Sequence, residues 1–173
     1  MVVRNRQPLV AMGIVFILLA TGWLIKRMTG TRYYINLTRS EPIGIYRLFP
    51  GDARRLKTGD LVIMDVPRQA RRYIYGRRWL REGWPLLKNI GAVAGDTYCI
   101  TDSTVRINGQ YLGPVFRTDG QGRELPRLRG TFQVKAGQFL PVSVDHEQSF
   151  DGRYFGAVSC GLIRGRAIAV LTF

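Results

Sequence analysis

A single histidine, two cysteines and four lysines are spread over 173 residues, and each scarcity excludes something. One His rules out a His-cluster metal site, and two Cys make neither a disulfide-scaffold miniprotein nor a Cys-rich zinc module. A His-based triad would depend on His146 alone. Acidic residues are also few: 12 Asp+Glu stand against 26 Lys+Arg, for a formal net charge of +14. All of those cations are Arg except Lys26, Lys57, Lys88 and Lys135. Arg keeps its proton in proteins while a buried Lys can lose one, so a proton-accepting side-chain amine must be one of these four. The Arg excess suits anionic phosphates, of nucleic acid or lipid, or simply a soluble basic surface. With 46% apolar and 22% charged residues the chain is a folding one. Its length allows one compact domain, with a small insertion or a tail.

Residues 9–25 read LVAMGIVFILLATGWLI, a run without charge. As a helix it is about 26 Å long at ~1.5 Å per residue, slightly short of a ~30 Å hydrocarbon core. Arg6, Lys26 and Arg27 flank it and can snorkel, and Trp23 suits an interface. We expect a membrane-inserting segment in preference to a buried core helix. Ala20-Thr21-Gly22 is a small-x-small triplet that a signal peptidase could accept, so a cleaved signal is the alternative to a retained anchor. Arg4 and Arg6 before the run nearly balance Lys26, Arg27 and Arg32 after it, and the positive-inside rule leaves orientation open.

Beyond the run the pattern turns to period two with turn punctuation. Leu61-Val62-Ile63-Met64 follows Lys57-Thr58-Gly59-Asp60, residues 90–93 precede Gly95-Asp96, and residues 105–107 lead into Asn108-Gly109, a strong hairpin signal. Further strands are expected over 132–134, 139–144 and 167–171. One helix outside the N-terminal run is expected over 67–84, weakened by Gly76. The reading is a mostly β domain over residues 37–173, after an N-terminus (1–8), the apolar helix (9–25) and a juxtamembrane linker (26–36).

Three segments carry chemistry. Ser40-Glu41-Pro42-Ile43-Gly44-Ile45-Tyr46 follows the linker and by itself reads as a turn. Lys88 lies inside the apolar stretch Pro85-Leu86-Leu87-Lys88-Asn89-Ile90. Burial would lower its pKa and make a neutral amine available as general base, whereas an edge-strand Lys would point to solvent. Ser149-Phe150-Asp151-Gly152-Arg153-Tyr154-Phe155-Gly156 offers an Asp/Arg pair able to hold a turn.

In this order the segments resemble the S26 signal peptidase family, with its nucleophilic Ser near the membrane, Lys in an apolar strand before a Gly-Asp turn, and late Ser-x-Asp-x-Arg-x-x-Gly. The spelling Ser40-x-Pro42-x-Gly44-x-Tyr46 is similar to the conjugative-transfer branch, the TraF-type peptidases that process pilin precursors. Thr58-Gly59-Asp60-Leu61-Val62 resembles the family's Gly-Asp strand. Asn89, Ala94 and Ser143-Val144 depart from the usual Arg, Pro and Gly-Asp. The resemblance implies a coiled β-barrel catalytic domain behind one transmembrane helix, residues 102–138 being a candidate cap insertion. It places the chain in a bacterial inner membrane by a retained anchor, with residues 1–8 cytoplasmic and the catalytic domain in the periplasm.

The implied mechanism needs no metal or cofactor. Neutral Lys88 takes the proton of Ser40, whose Oγ attacks the scissile carbonyl to form an acyl-enzyme. The backbone N–H of Ser40 and the Thr38 hydroxyl are candidate oxyanion donors. Ser149 orients Lys88, while Asp151 and Arg153 fix the loop. Substrate, a pilin or other secreted precursor, would lie extended along strands near Pro42, Ile43, Gly44, Tyr46 and Met64. Either water or the precursor's own amine could resolve the acyl-enzyme. Arg71, Arg72, Arg77, Arg78 and Arg81 interleave with aromatics over 69–84, which reads as a solvated helix face or a lipid-headgroup patch. Nucleic acid is not an expected partner, because no binding motif accompanies the charge; other transfer-apparatus subunits are. A vestigial, membrane-anchored scaffold subunit is the alternative function. Cys99 and Cys160 are a candidate disulfide, with two buried thiols as the alternative; proteins of this kind more often place the second Cys near Gly130-Thr131.

Overall fold

A tight turn shows how local sequence sets the architecture. Asn108 and Gly109 both take positive φ (49° and 81°), as a two-residue hairpin turn matched to strand twist demands. They join β6 (Thr104–Ile107) to β7 (Gln110–Pro114), in register Ile107↔Gln110. The Asn108 side chain secures the corner: its Oδ1 accepts from the Thr97 N–H (2.9 Å) and its Nδ2 donates to Asp96 Oδ1 (2.8 Å).

The computed structural model describes residues 7–29, 32–51 and 56–173, and within the first helix the side chains of residues 11–23. It divides into two units, residues 1–32 and residues 33–173. In the first, helix α1 (Gln7–Thr29) exposes Met12, Ile14, Val15, Phe16, Ile17, Leu18 and Leu19. No helix among the described residues is long and apolar enough to cross a membrane; a crossing takes ~20 residues, more than the described side chains of α1 provide. Arg4 and Arg6, with most of segment 1–8, lie outside the described residues, while Lys26 and Arg27 fall in the last turns of α1, beyond the described side chains. Segment 26–36, expected as a linker, ends in strand β1 (Arg32–Asn36).

The second unit is mostly β, in two antiparallel sheets and not the closed barrel expected. The larger has the order β1-β2-β11-β3-β4-β9-β10, and the smaller β7-β6-β5-β8. The large sheet comprises β1, β2 (Gly44–Phe49), β3 (Leu61–Met64), β4 (Leu86–Ala92), β9 (Gln138–Val142), β10 (Val158–Ser159) and β11 (Ile163–Thr172). The small sheet adds β5 (Thr97–Ile100) and β8 (Gly130–Gln133) to the hairpin, so the span 102–138 contributes most of it. Apolar side chains buried between elements form the core: Tyr98, Ile100 and Val105 of the small sheet pack with Ala92, Leu140 and Val142 of β4 and β9. Burial of apolar area of this kind is the main favourable contribution to folding.

The helix expected over 67–84 is not formed. A 3-10 turn (Arg68–Ala70) runs into the single helical turn α2 (Arg71–Ile74), and the chain then coils. Gly76 allows the break: a Cβ there would sit 2.3 Å from the Arg72 carbonyl oxygen. Arg78, at φ 57°, turns the chain away from helical geometry.

The candidate Cys99–Cys160 bridge is also corrected, because both thiols are free. Cys99 lies on β5 with Thr131 directly opposite on β8. Cys160 follows β10, whose sheet partner is β9. β5 and β10 belong to different sheets and do not pair among the described strands. Alkylation of the denatured, unreduced protein is expected to label both cysteines as fully as after reduction. A reductant-dependent gain in labelling would contradict this arrangement.

Candidate active site

Lysine in the middle of an apolar strand has to be explained by what its amine meets. In β4 the side chains of Leu87, Lys88, Ile90 and Ala92 are all buried, and Lys88 is only 1% exposed. Antiparallel pairing with β9, in register Asn89↔Val142, sets Ser143 opposite Lys88. Lys88 Nζ donates to Ser143 Oγ (2.9 Å) and to Ser149 Oγ (2.7 Å). Burial lowers its pKa to about 8, more than the nearby carboxylates of Asp151 and Glu41 raise it; Arg153 lowers it further. The amine can therefore be neutral at mildly alkaline pH, with its lone pair available.

The loop that carries Ser40 is wrapped around the end of β1. Asn36, fully buried, donates through Nδ2 to the carbonyls of Thr38 (2.9 Å), Glu41 (3.0 Å) and Pro42 (3.1 Å). Its Oδ1 accepts from the Thr38 N–H (3.1 Å) and the Thr38 hydroxyl (2.7 Å). Thr38 Oγ1 lies 3.3 Å from Ser40 Oγ. With the Thr38 proton committed to Asn36, the Ser40 hydroxyl is the donor in that contact. Thr38 can serve an oxyanion only after its hydroxyl leaves Asn36.

Below the amine, Asp151 and Arg153 form a buried pair, 0% and 2% exposed in their side chains. Arg153 Nε and Nη2 donate to the two carboxylate oxygens at 2.9 and 2.8 Å, the bidentate geometry in which such a pair is strongest. The same guanidinium donates to the carbonyls of Glu147, Pro114, Ser143 and His146. Asp151 Oδ2 also accepts from the Ser143 N–H (2.9 Å). Ser143 is thus gripped at both backbone atoms, which aims its hydroxyl at Lys88. Asp151 additionally caps the short helix α3 (Gly152–Phe155), accepting from the Arg153 N–H. Gly152 is required there: a Cβ would meet the Pro141 carbonyl oxygen at 2.6 Å and Leu140 at 2.7 Å.

Ser40, Thr38, Lys88 and Ser149 line one cavity of about 490 Å³. Its walls come from Ile74, Trp79, Leu80 and Leu86 on one side, Phe116 and Leu125 on another, with Phe150 and Tyr154 beside Ser149. Arg77 helps to close it, donating to Asp119 Oδ2 (2.8 Å) and stacking near Tyr73 and Trp79. Arg123 grips the same carboxylate at 2.8 Å. Arg77 is therefore a clasp between loops, not a member of a solvated helix face.

The structure does not bring every sequence candidate to this cavity. Tyr46 and Met64 are core residues, 1% and 0% exposed. Tyr46 donates to the Pro42 carbonyl (2.6 Å) and so supports the Ser40 loop from beneath. Pro42, Ile43 and Gly44 lie along the loop and the start of β2, outside the cavity lining. His146 does line it, and its carbonyl accepts from the Ser149 N–H.

Asn36, Glu41 and Ser143 escaped sequence reasoning. Asn36 closes the segment expected as a linker, and Glu41 sits inside a stretch that by itself reads as a turn. The replacement of Gly-Asp by Ser143-Val144 was the one visible pointer. Asn89, at another departure, leaves its buried Oδ1 without a partner among the described residues, a cost that burial of an unpaired acceptor carries.

A family model for signal peptidase, peptidase S26, matches residues 6–172. A probable conjugal transfer protein TraF of Sinorhizobium fredii is 32% identical over 98% of this chain and 93% of its own. A conjugal transfer protein TraF of Agrobacterium fabrum is 33% identical, covering 82% of this chain and 83% of its own. A crystal structure of a signal peptidase I from Enterococcus faecalis aligns with 65% of this chain and 96% of its own, at TM-score 0.39 and 20% identity, too loosely to bear on the fold. The match over residues 6–172 encloses the four ordered motifs, and the chain belongs to the S26 signal peptidase family.

Proposed function

We propose that the protein is a membrane-anchored serine endopeptidase with a Ser40/Lys88 dyad that processes a pilin precursor in conjugation. The observation that carries the reading is Lys88: a buried amine, held by two serine hydroxyls, in the same cavity as Ser40. Lys88 would accept the Ser40 proton as Oγ adds to the scissile carbonyl, then return it to the departing amine. The Ser40 N–H and the Thr38 hydroxyl, once turned from Asn36, would stabilise the oxyanion. Ser149 positions the amine, and Asp151 with Arg153 holds the loop beneath. The apolar walls favour an extended peptide with apolar side chains beside the cleaved bond. The names of the relatives support a conjugation role. The exposed apolar face of α1 supports anchoring in the inner membrane, with the second unit on the periplasmic side.

The test incubates the protein, in lipid vesicles, with the pilin precursor of its own transfer system. Mass spectrometry then reads the product. A cleaved linear pilin means that water resolves the acyl-enzyme; a product lighter by one water means head-to-tail joining by the pilin's amine. Either outcome supports the dyad, and an unprocessed precursor counts against it. Processing should also fall as pH drops through about 8, where Lys88 gains its proton. Below that point the rate should fall about tenfold per pH unit. A rate flat from pH 6 to 9 would be inconsistent with Lys88 as base.

A further inference from the structure

A second buried ionisable group stands one residue after Ser40. Glu41 is 3% exposed, and Ser143 Oγ donates to its Oε1 at 2.9 Å. The same Ser143 Oγ accepts from Lys88 Nζ. A continuous chain therefore runs from Ser149 through Lys88 and Ser143 to Glu41, every member of it buried. We propose that Glu41 is the charge-balancing and positioning partner of Lys88, acting through the Ser143 hydroxyl. The inference rests on the peptidase reading for its effect on catalysis, but the coupling itself does not.

The proton balance shows what Glu41 contributes. In the active form Glu41 is a carboxylate and Lys88 a neutral amine. The Ser40 O–H bond breaks, its proton passes to the Lys88 lone pair, and Oγ bonds to the carbonyl carbon. An ammonium now stands two hydrogen bonds from a carboxylate, so the buried positive charge appears opposite an existing negative one. Without Glu41 that charge would form in a buried site with less compensation. Burial pushes the Glu41 carboxyl up to about 7, despite the Ser143 hydrogen bond and Lys88, which lower it. Its ionisation therefore lies close to that of Lys88, and the two titrate as a pair.

Other charges act on the pair. Asp151 and Arg153 act on Lys88 with opposite signs and are bound to each other. Asp145 and Asp151 disfavour the Glu41 carboxylate, and Tyr46 feels Glu41 in turn. Arg39, Asp119 and His146 line the cavity. Only Glu41 joins Lys88 through a single shared hydroxyl among the described hydrogen bonds.

With just four lysines, Lys88 can be titrated directly by NMR in the full chain labelled with 13C at lysine Cε, its resonance identified by its loss in Lys88→Met. Glu41→Gln keeps an acceptor for Ser143 while removing the charge. It should lower the Lys88 midpoint by about half a pH unit or more, move the acidic limb of the processing rate the same way, and reduce the plateau rate several-fold. Ser143→Ala removes the donor that favours the Glu41 carboxylate and should lower the midpoint in the same direction. The double variant should add little to Glu41→Gln, as expected for residues acting as one unit. Should Glu41→Gln not fold, Ser143→Ala carries the titration alone. A Lys88 midpoint that is unmoved in the folded variants overturns the inference, and if processing persists the peptidase reading stands. A shifted midpoint in a protein that processes nothing supports the coupling and removes the peptidase reading instead.

Discussion

Ser40→Ala and Lys88→Arg are each expected to lower precursor processing by on the order of 10³-fold or more, with the protein still folded. Ser40 is half-buried in a loop held by Asn36, and among the described residues its Oγ hydrogen-bonds to Thr38. Removing the hydroxyl leaves the Asn36 cradle intact, so Ser40→Ala should retain the parental unfolding midpoint. Lys88→Arg separates charge from chemistry. Arg is also cationic, but it cannot become a neutral base near neutral pH. Its planar fork must also fit where Nζ now meets Ser143 and Ser149. Lys88→Met, which keeps an unbranched chain and removes the amine, controls for that misfit. The measurement is the single-turnover rate of precursor processing by purified full-length protein, with thermal unfolding beside it. Full activity in Lys88→Arg would sink the general-base assignment, and full activity in Ser40→Ala would sink the nucleophile.

Lys88 was legible because a lone Lys in an apolar strand, in a chain that otherwise uses Arg, conflicts with simple burial. Such local conflicts mark sites. The Asn108-Gly109 hairpin was legible for a local reason too, since both residues tolerate positive φ. What was not legible is non-local. The Ser143 hydroxyl that binds Lys88 arrives from the residue after β9, 55 residues away, and the carboxylate behind it from the Ser40 loop, 102 residues from Ser143. Strand register decides those meetings, and no spacing in the sequence reports it. Segment 67–84 failed for the opposite reason. Its composition suits a helix, but Trp79, Leu80 and Tyr75 pack around Val66, Ala70 and Ile74, and Arg77 reaches Asp119. Tertiary contacts there outweigh a helix propensity of a few tenths of a kcal/mol per residue. The barrel was what the resemblance implied; alternation by itself predicts strands only, and their order in two sheets is set by pairing across the chain.

Breaking the pair beneath the site should cost more stability than any other single change considered. Asp151→Asn removes the charge that compensates a guanidinium buried to 2%. Loss of one partner of a buried pair costs about 3–5 kcal/mol, against a total stability of roughly 5–15 kcal/mol for a domain. The four carbonyls around Arg153 soften the loss without replacing the carboxylate. Arg153→Met should cost a similar amount, since it strands Asp151 and frees those carbonyls. A double-mutant cycle separates the pair from its surroundings: Asp151→Asn with Arg153→Met should lose clearly less than the sum of the single losses. Urea unfolding of the full-length protein provides the free energies. If Asp151→Asn unfolds within about 0.5 kcal/mol of the parent, the range of an ordinary surface change, then the pair does not hold the loop. Processing should weaken in Asp151→Asn even where the protein remains folded. Asp151 Oδ2 accepts the Ser143 N–H, and Ser143 aims its hydroxyl at Lys88, so a loosened Ser143 lets the amine wander from the lone-pair direction that Ser40 requires.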